Sequence, residues 1–402
     1  MRFWKSLVVG ILGLAVCMGL LASVQAAEPG VTDKEIKIGG VVDLSGPIAF
    51  MGKGVARGAG TYFKYINDQG GVQGRKINYL VEDDGYSPPK AVAAAKKLID
   101  RDEVFCMFMV LGSAQSLAMY PLLEKAGVPL VQPATQNSHI ADPPKKYLFL
   151  ADPNYVTQAK LGIEYALDEL KIKSPKVGMI YQDDEPGHDY RDGVKLACKQ
   201  YKLDLVADVP YKRGTVDFSS HVAKLKDTGA DLVMMWTLVR EPAGILKEAT
   251  KVEYKPVWVT ATPSTDNMVL QIAGDAAFSG KGFYGTAIAY MFEPNYPPAD
   301  EVFKIWPKYN GDAKPTFYDW YGWGCAKILV EGLNKAGANP TRAGLIKALE
   351  TFTDYKTGVF GPITWRADKR YGNQQCLIVA PKKNAEGPAT WSEVGPMRSP
   401  KF

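Results

Sequence analysis

The apolar positions along the chain switch repeatedly between two periods. Ile36 to Val42 is a β-branched run too short for a helix, and it stops at Asp43-Leu44-Ser45-Gly46-Pro47. Small residues in such a loop let backbone groups approach a ligand closely. Val55, Ala59, Tyr62, Phe63 and Ile66 then share one helical face, which Gly70-Gly71 ends. A second run, Lys76 to Val81, leads into Ser87-Pro88-Pro89, a helix start of the kind that capping chemistry favours. Val104 to Val110 is continuously apolar, as expected of a strand covered by helices on both faces. A helix over 113–126 and a short strand over 128–131 follow.

After Phe149-Leu150-Ala151-Asp152 a fresh series begins. It reads helix 155–170, strand 177–181, helix 190–201, strand 205–209, helix 218–228, strand 231–236, helix 242–250 and strand 257–260. Such alternation predicts an α/β fold with parallel sheets flanked by helices. No Pro/Gly-rich linker separates the two series, so strand-like crossovers rather than a tether are expected to join two lobes.

The N-terminus changes the compartment. Arg2 and Lys5 precede an apolar run from Leu7 to Leu21, and Val24-Gln25-Ala26 offers small residues for cleavage. This predicts a secretory signal peptide over 1–26, cut before Ala27, and a periplasmic product. The run is shorter than the ~20 residues of a spanning helix, and bulky Val16 disfavours a lipoprotein site at Cys17.

Charge excludes further classes. Lys and Arg number 48 against 43 Asp and Glu, a net +5, and loss of Arg2 and Lys5 brings the mature chain nearer neutrality. There is no basic block, RNA-type aromatic motif or polybasic amphipathic segment, so no nucleic-acid or membrane-surface partner is expected. Cys106, Cys198, Cys325 and Cys376 are too far apart for a paired C-x-x-C site. Cys106 reads as a buried small hydrophobe. An oxidising compartment would permit a Cys325–Cys376 bridge, which spacing alone leaves open.

Catalytic motifs fare no better. The three histidines, His139, His188 and His221, form no H-E-x-x-H, so no metal site is expected. Glu82-Asp83-Asp84 and Asp183-Asp184-Glu185 sit in post-strand loops where capping or solvation accounts for them. Gly280-Lys281-Gly282 lacks the rest of a phosphate loop, and Gly52 to Gly58 lacks G-x-G-x-x-G spacing, so no cofactor is expected. Tyr318, Trp320, Tyr321 and Trp323 form an aromatic cluster that packs in a core or lines a cleft.

The literal residues narrow the class. The opening loop Asp43-Leu44-Ser45-Gly46-Pro47-Ile48-Ala49, and Glu82-Asp83-Asp84-Gly85-Tyr86-Ser87-Pro88-Pro89-Lys90-Ala91-Val92, resemble the periplasmic solute-binding proteins of the branched-chain amino acid (Leu/Ile/Val-binding) family. In that family the opening strand leads into a D-x-S-G-P-x-A-x-x-G loop. The resemblance runs from about Ile36 to at least Pro362. It implies a type I, two-lobed fold with a three-crossover hinge near Ala151, Gly285 and Gly361. The first lobe would hold 27–151 and 286–361, the second 152–285 and 362–402. It also implies a monomeric, non-enzymatic receptor serving an inner-membrane ABC permease.

In open parallel sheets a ligand lies beyond the carboxyl ends of the strands. Two first-lobe loops, Gly112 to Ser116 and Gln132 to Gln136, bring hydroxyls and backbone groups there. A helix N-terminus after Gly112 favours an anion, because unpaired N–H donors and the helix dipole point at it. Ordinary capping is the alternative role for Ser113. The resemblance implies that Ser113 and the Ala134-Thr135 pair grip the ligand's carboxylate, and that Phe50 and Met51 line its side chain.

The second-lobe residues depart from the family. Pro186 stands where a ligand-facing tyrosine is usual. Counting back from Ile272 to Ala277 puts Thr262 where amino-acid binders place the glutamate that holds the α-ammonium. Arg240 falls near a commonly aromatic position, either as a ligand contact or as a surface residue before Glu241-Pro242. A buried ammonium without a carboxylate partner costs several kcal/mol. Three functions follow: a receptor for a branched-chain or other amino acid, a receptor for aromatic or aliphatic carboxylic acids lacking the α-amino group, and, more distantly, an exported enzyme.

Overall fold

A computed structural model describes residues 28–293 and 296–402. The expected signal peptide lies outside the described residues. The first five strands are β1 (Glu35–Val42), β2 (Lys76–Asp83), β3 (Cys106–Val110), β4 (Leu130–Val131) and β5 (Leu148–Phe149). Between them run α1 (Ala49–Asp68), α2 (Pro88–Asp100) and α3 (Ser113–Ala126). The strands form one parallel sheet in the order β2-β1-β3-β4-β5. Alternate residues serve opposite faces. Ile38, Val42 and Phe108 face a core with Phe63 and Trp323, while Val41 and Met107 face Leu98, Met119 and Leu123.

The second series contains α4 (Tyr155–Asp168), β6 (Val177–Gln182), α5 (Glu185–Tyr201), β7 (Leu205–Tyr211), α6 (Ser219–Asp227) and β8 (Leu232–Trp236). It continues with α7 (Glu241–Lys251), β9 (Val257–Thr260), α8 (Asn267–Ala273) and β10 (Phe283–Ala287). The chain then returns to the first lobe through α9 (Pro297–Asn310), α10 (Phe317–Ala336) and α11 (Arg342–Glu350), and ends in β11 (Leu377–Lys382) and β12 (Thr390–Glu393). The second sheet runs β12-β11-β10-β9-β8-β6-β7. Its β11 and β12 are antiparallel additions, made as a local hairpin on the β10 edge.

The lobes exchange chain at three places. The first is at Ala151-Asp152. The second follows Ala287, since β10 pairs with β9 whereas Ile288 and Ala289 already pack in the first-lobe core. The third lies after Tyr371, not near Gly361. Ile363 and Trp365 belong to the first-lobe core, Tyr371 bridges to Leu150, and Trp365 Nε1 donates to the Leu150 carbonyl at 3.1 Å. These anchors hold 362–371 on the first lobe.

Helix α10 closes the first lobe against α1, and two glycines set its distance. A Cβ at Gly58 would stand 2.0 Å from the Asp319 carbonyl oxygen, and one at Gly322 would stand 2.2 Å from that of Val55. At this close approach Arg57 grips the buried Asp319 through two hydrogen bonds of 2.7 and 2.6 Å. The four described cysteines are free and buried. Cys325 and Cys376 do not bridge, because Cys325 sits on α10 in the first-lobe core while Cys376 packs with Leu161, Tyr165 and Ile378 of the second.

Candidate functional site

The cleft between the lobes is floored on the first-lobe side by two loops that leave β3 and β4. Gly112 turns the chain with φ +109°, where a Cβ would stand 2.3 Å from Gln115 Oε1. Helix α3 starts at once with Ser113 and has no side-chain cap, so its leading N–H groups are open to an acceptor. The neighbouring loop is held in register by the Ala134 N–H, which donates to the Val110 carbonyl at 2.7 Å.

This brings Ser113 Oγ and Thr135 Oγ1 to 2.7 Å, both side chains buried. Thr135 Oγ1 also accepts the Asn137 N–H at 3.2 Å. Two hydroxyls sharing one hydrogen bond leave one O–H free, whichever donates. The paired hydroxyls and the bare helix end form one donor cluster.

The cavity opening from this cluster holds about 600 Å³ of space, its mouth included. Its lining includes six of the residues expected from sequence: Ser113, Ala134, Thr135, Met51, Pro186 and Thr262. Phe50 and Arg240 are outside it. Phe50 and Met51 point about 100° apart on α1, and of the two only Met51 reaches the cavity. Ile48, Met51 and Val55 face the cavity at helical spacing, while Phe50 is part-exposed with its ring edge-on to Tyr318. Arg240 is exposed just before α7, and the side chains that reach the cavity from this segment are Trp236 and Leu238.

Aromatic rings dominate the rest. Tyr86, Tyr155, Trp236, Phe317, Tyr318 and Tyr321 all line the cavity. Of the aromatic cluster on α10, Tyr318 and Tyr321 face the cleft while Trp320 and Trp323 fill the core. Tyr86 was missed in sequence. Its φ of +59° is unusual for a bulky residue, and the Asp84 carboxylate holds it there by accepting its N–H at 2.8 Å. The Asp-Gly-Tyr run after β2 was the available signal. Tyr155 and Trp236 were read only as helix start and strand end.

Among the described residues no Asp, Glu, Lys or Arg lines this cavity. Thr262 is itself engaged: its hydroxyl donates to the Thr286 carbonyl at 2.7 Å and its N–H to Gln158 Oε1 at 3.0 Å. Asp266 caps α8 by accepting the Met268 N–H at 2.8 Å, and Glu185 is solvent-exposed. Neither replaces the missing glutamate. Behind the cavity, at the first crossover, Asp152 is fully buried and accepts from Tyr321 Oη and from Gln136 Nε2. Burial pushes its carboxyl up to about 7 despite those two donors.

The sequence profile of a periplasmic binding protein family matches residues 35–386. The chain is 29% identical over 332 residues to Leu/Ile/Val-binding protein homolog 7 of Brucella abortus (strain 2308), covering 78% of this chain and 80% of that one. Among solved structures, it resembles a fatty acid ABC transporter substrate-binding protein from Thermomonospora curvata with a TM-score of 0.81 at 26% identity. That match covers 91% of this chain and 93% of the other. A branched chain amino acid ABC transporter from Thermus thermophilus with bound valine superposes with a TM-score of 0.82 at 20% identity, over 92% and 97% of the two chains. This last likeness concerns the fold alone.

Proposed function

The chain belongs to the periplasmic binding protein family, and from that premise we propose that it is the receptor of an ABC importer for a small carboxylate without an α-amino group, carrying an aromatic or branched aliphatic body. Proteins of this family are substrate-binding components of ABC transporters and work with a membrane permease.

The observation that carries the reading is the cavity's polarity. One end offers a free O–H from the Ser113–Thr135 pair beside the uncapped start of α3. The remainder is mostly aromatic and aliphatic, with Gln136 and Thr262 as its other polar side chains and no acidic side chain among its described lining residues. The donor cluster suits a carboxylate, which gains charge-assisted hydrogen bonds and the helix dipole. An ammonium in the same cavity would lose its hydration and find no carboxylate, a cost of several kcal/mol. Thr262 offers it only a lone pair, since its proton is committed to Thr286. The Thermomonospora curvata neighbour is a fatty acid ABC transporter substrate-binding protein, and a fatty acid has the acid and lacks the amine.

A second reading keeps the amino acid as ligand, favoured by the names of the Brucella relatives. A thermal-shift panel separates the two, because a ligand that binds the folded state raises the melting temperature. The panel contains leucine, valine, phenylalanine, 4-methylpentanoate, benzoate and 3-phenylpropanoate. Shifts confined to the acids are expected. Shifts confined to the amino acids would overturn the proposal.

A further inference from the structure

We propose that the first turn of α5 is a clasp that holds the two lobes together independently of the ligand, with Ser138 and Asp189 as its positioning residues. The inference rests on the cleft being the binding site, as proposed above, and not on the class of ligand.

Ser138 belongs to the first lobe, in a short 3-10 turn whose Ile140 sits in the first-lobe core. Asp189 belongs to the second lobe, one residue before Tyr190 in that lobe's core. The Ser138 N–H donates to Asp189 Oδ2 at 2.8 Å and the Ser138 hydroxyl donates to Oδ1. Both carboxylate oxygens are therefore engaged across the cleft, and Asp189 is 2% exposed. Next to it, Asn137 Nδ2 donates to the Glu185 carbonyl at 3.3 Å. The first-lobe side of the clasp is itself anchored, since Tyr371 Oη donates to the Asn137 and Ser138 carbonyls at 3.0 and 2.5 Å.

A further contact works at the N-cap of the same turn. Arg213, paired with Asp184 at 3.2 Å, lies over the Tyr86 ring of the first lobe with 4.5 Å to its centroid. Pro186 of this turn lines the cavity. All these contacts join protein groups to protein groups, so they act whether or not a ligand lies between the lobes. Parting the lobes returns Ser138 and Asp189 to water. The contacts therefore favour closure alone, and every ligand that needs closure gains from them equally. They set the scale of affinity and leave its selectivity untouched.

The test uses the full mature chain with Ser138→Ala, Asp189→Ala and Ser138→Thr, the last keeping the hydroxyl. Melting temperatures confirm folding. Calorimetry with 3-phenylpropanoate, 4-methylpentanoate, phenylalanine and leucine is expected to show one common loss for every probe that the unmodified protein binds. That loss is about tenfold for each alanine variant, with Ser138→Thr near the unmodified value. Small-angle scattering without ligand is expected to give a larger radius of gyration for both alanine variants. Unchanged affinity, losses that differ between probes, or an unchanged ligand-free radius would each overturn the clasp. Binding of amino acids but not acids would defeat the proposed ligand class, while the equal losses on amino acids would still test the clasp. If none of the four probes binds, the ligand-free scattering decides it. Should Asp189→Ala fail to fold, Ser138→Ala carries the same measurements.

Discussion

Ser113→Ala and Thr135→Val, alone and together, probe the donor cluster most sharply. The two hydroxyls are 2.7 Å apart and share one hydrogen bond, so the pair presents one O–H to the cavity. Removing Ser113 Oγ frees the Thr135 proton to turn toward the ligand, and removing Thr135 Oγ1 leaves the Ser113 proton in place. Each hydroxyl thus stands in for the other. A hydrogen bond to a charged group contributes about 1.5–3 kcal/mol, and partial replacement puts each single variant at the lower end, about tenfold in Kd. The double variant loses the whole pair. Its loss should be the full contribution of that hydrogen bond, up to about 3 kcal/mol or roughly a hundredfold, and no smaller than the sum of the singles. Calorimetry with 3-phenylpropanoate reads the affinity, and its primary amide, which lacks the charge, should be affected less. Helix α3 has no side-chain cap, so Ser113→Ala should leave the melting temperature nearly unchanged. A loss of about 1 kcal/mol in stability with unaltered affinity would make the serine a cap and refute the donor role.

Thr262→Glu places a carboxylate where the cavity has only an engaged hydroxyl; the ratio of phenylalanine to 3-phenylpropanoate affinity, read by calorimetry, should move at least about tenfold toward the amino acid. Asp152 has its carboxyl pushed from 3.8 to about 7 by burial, so it contributes stability that is full below pH 3.8 and lost as pH rises through about 7. Scanning calorimetry should therefore show a melting temperature that falls between about pH 4 and 7 and levels off above, and Asp152→Asn should flatten that fall. Arg57→Ala removes the cation paired with the buried Asp319, and chemical denaturation should report a loss of about 3 kcal/mol, the low end for a broken buried pair because Arg57 is part-exposed and Asp319 keeps the Thr316 N–H and hydroxyl as donors.

Much of the fold was legible because burial imposes period. The continuous apolar run ending at Val110 and the helical spacing of Val55, Ala59, Tyr62 and Phe63 follow from what must face the core. The hairpin β11–β12 was not read, since antiparallel strands added to a sheet edge carry no strand–helix alternation. The third crossover was misplaced for a related reason. Residues 362–371 hold the first lobe through specific contacts, such as Trp365 Nε1 to Leu150, and such contacts leave no periodic trace. At the site, Ser113 and Thr135 could be located because a strand–loop–helix junction fixes where hydroxyls emerge. Phe50 and Arg240 fall outside the cavity lining, the first by a single residue on a helix and the second by a loop register. Tyr86, Tyr155 and Trp236 come from three separate elements, and only the closed tertiary structure brings them to one cavity.

The central claim is that the cavity accepts a carboxylate and has no place for an ammonium. Calorimetric titration of 3-phenylpropanoate and of phenylalanine into the same preparation tests it most directly, since the two differ only by the amino group. 3-Phenylpropanoate is expected to bind, and phenylalanine to bind at least about tenfold more weakly. Phenylalanine binding as tightly as 3-phenylpropanoate, or binding with no heat from 3-phenylpropanoate, would contradict the claim.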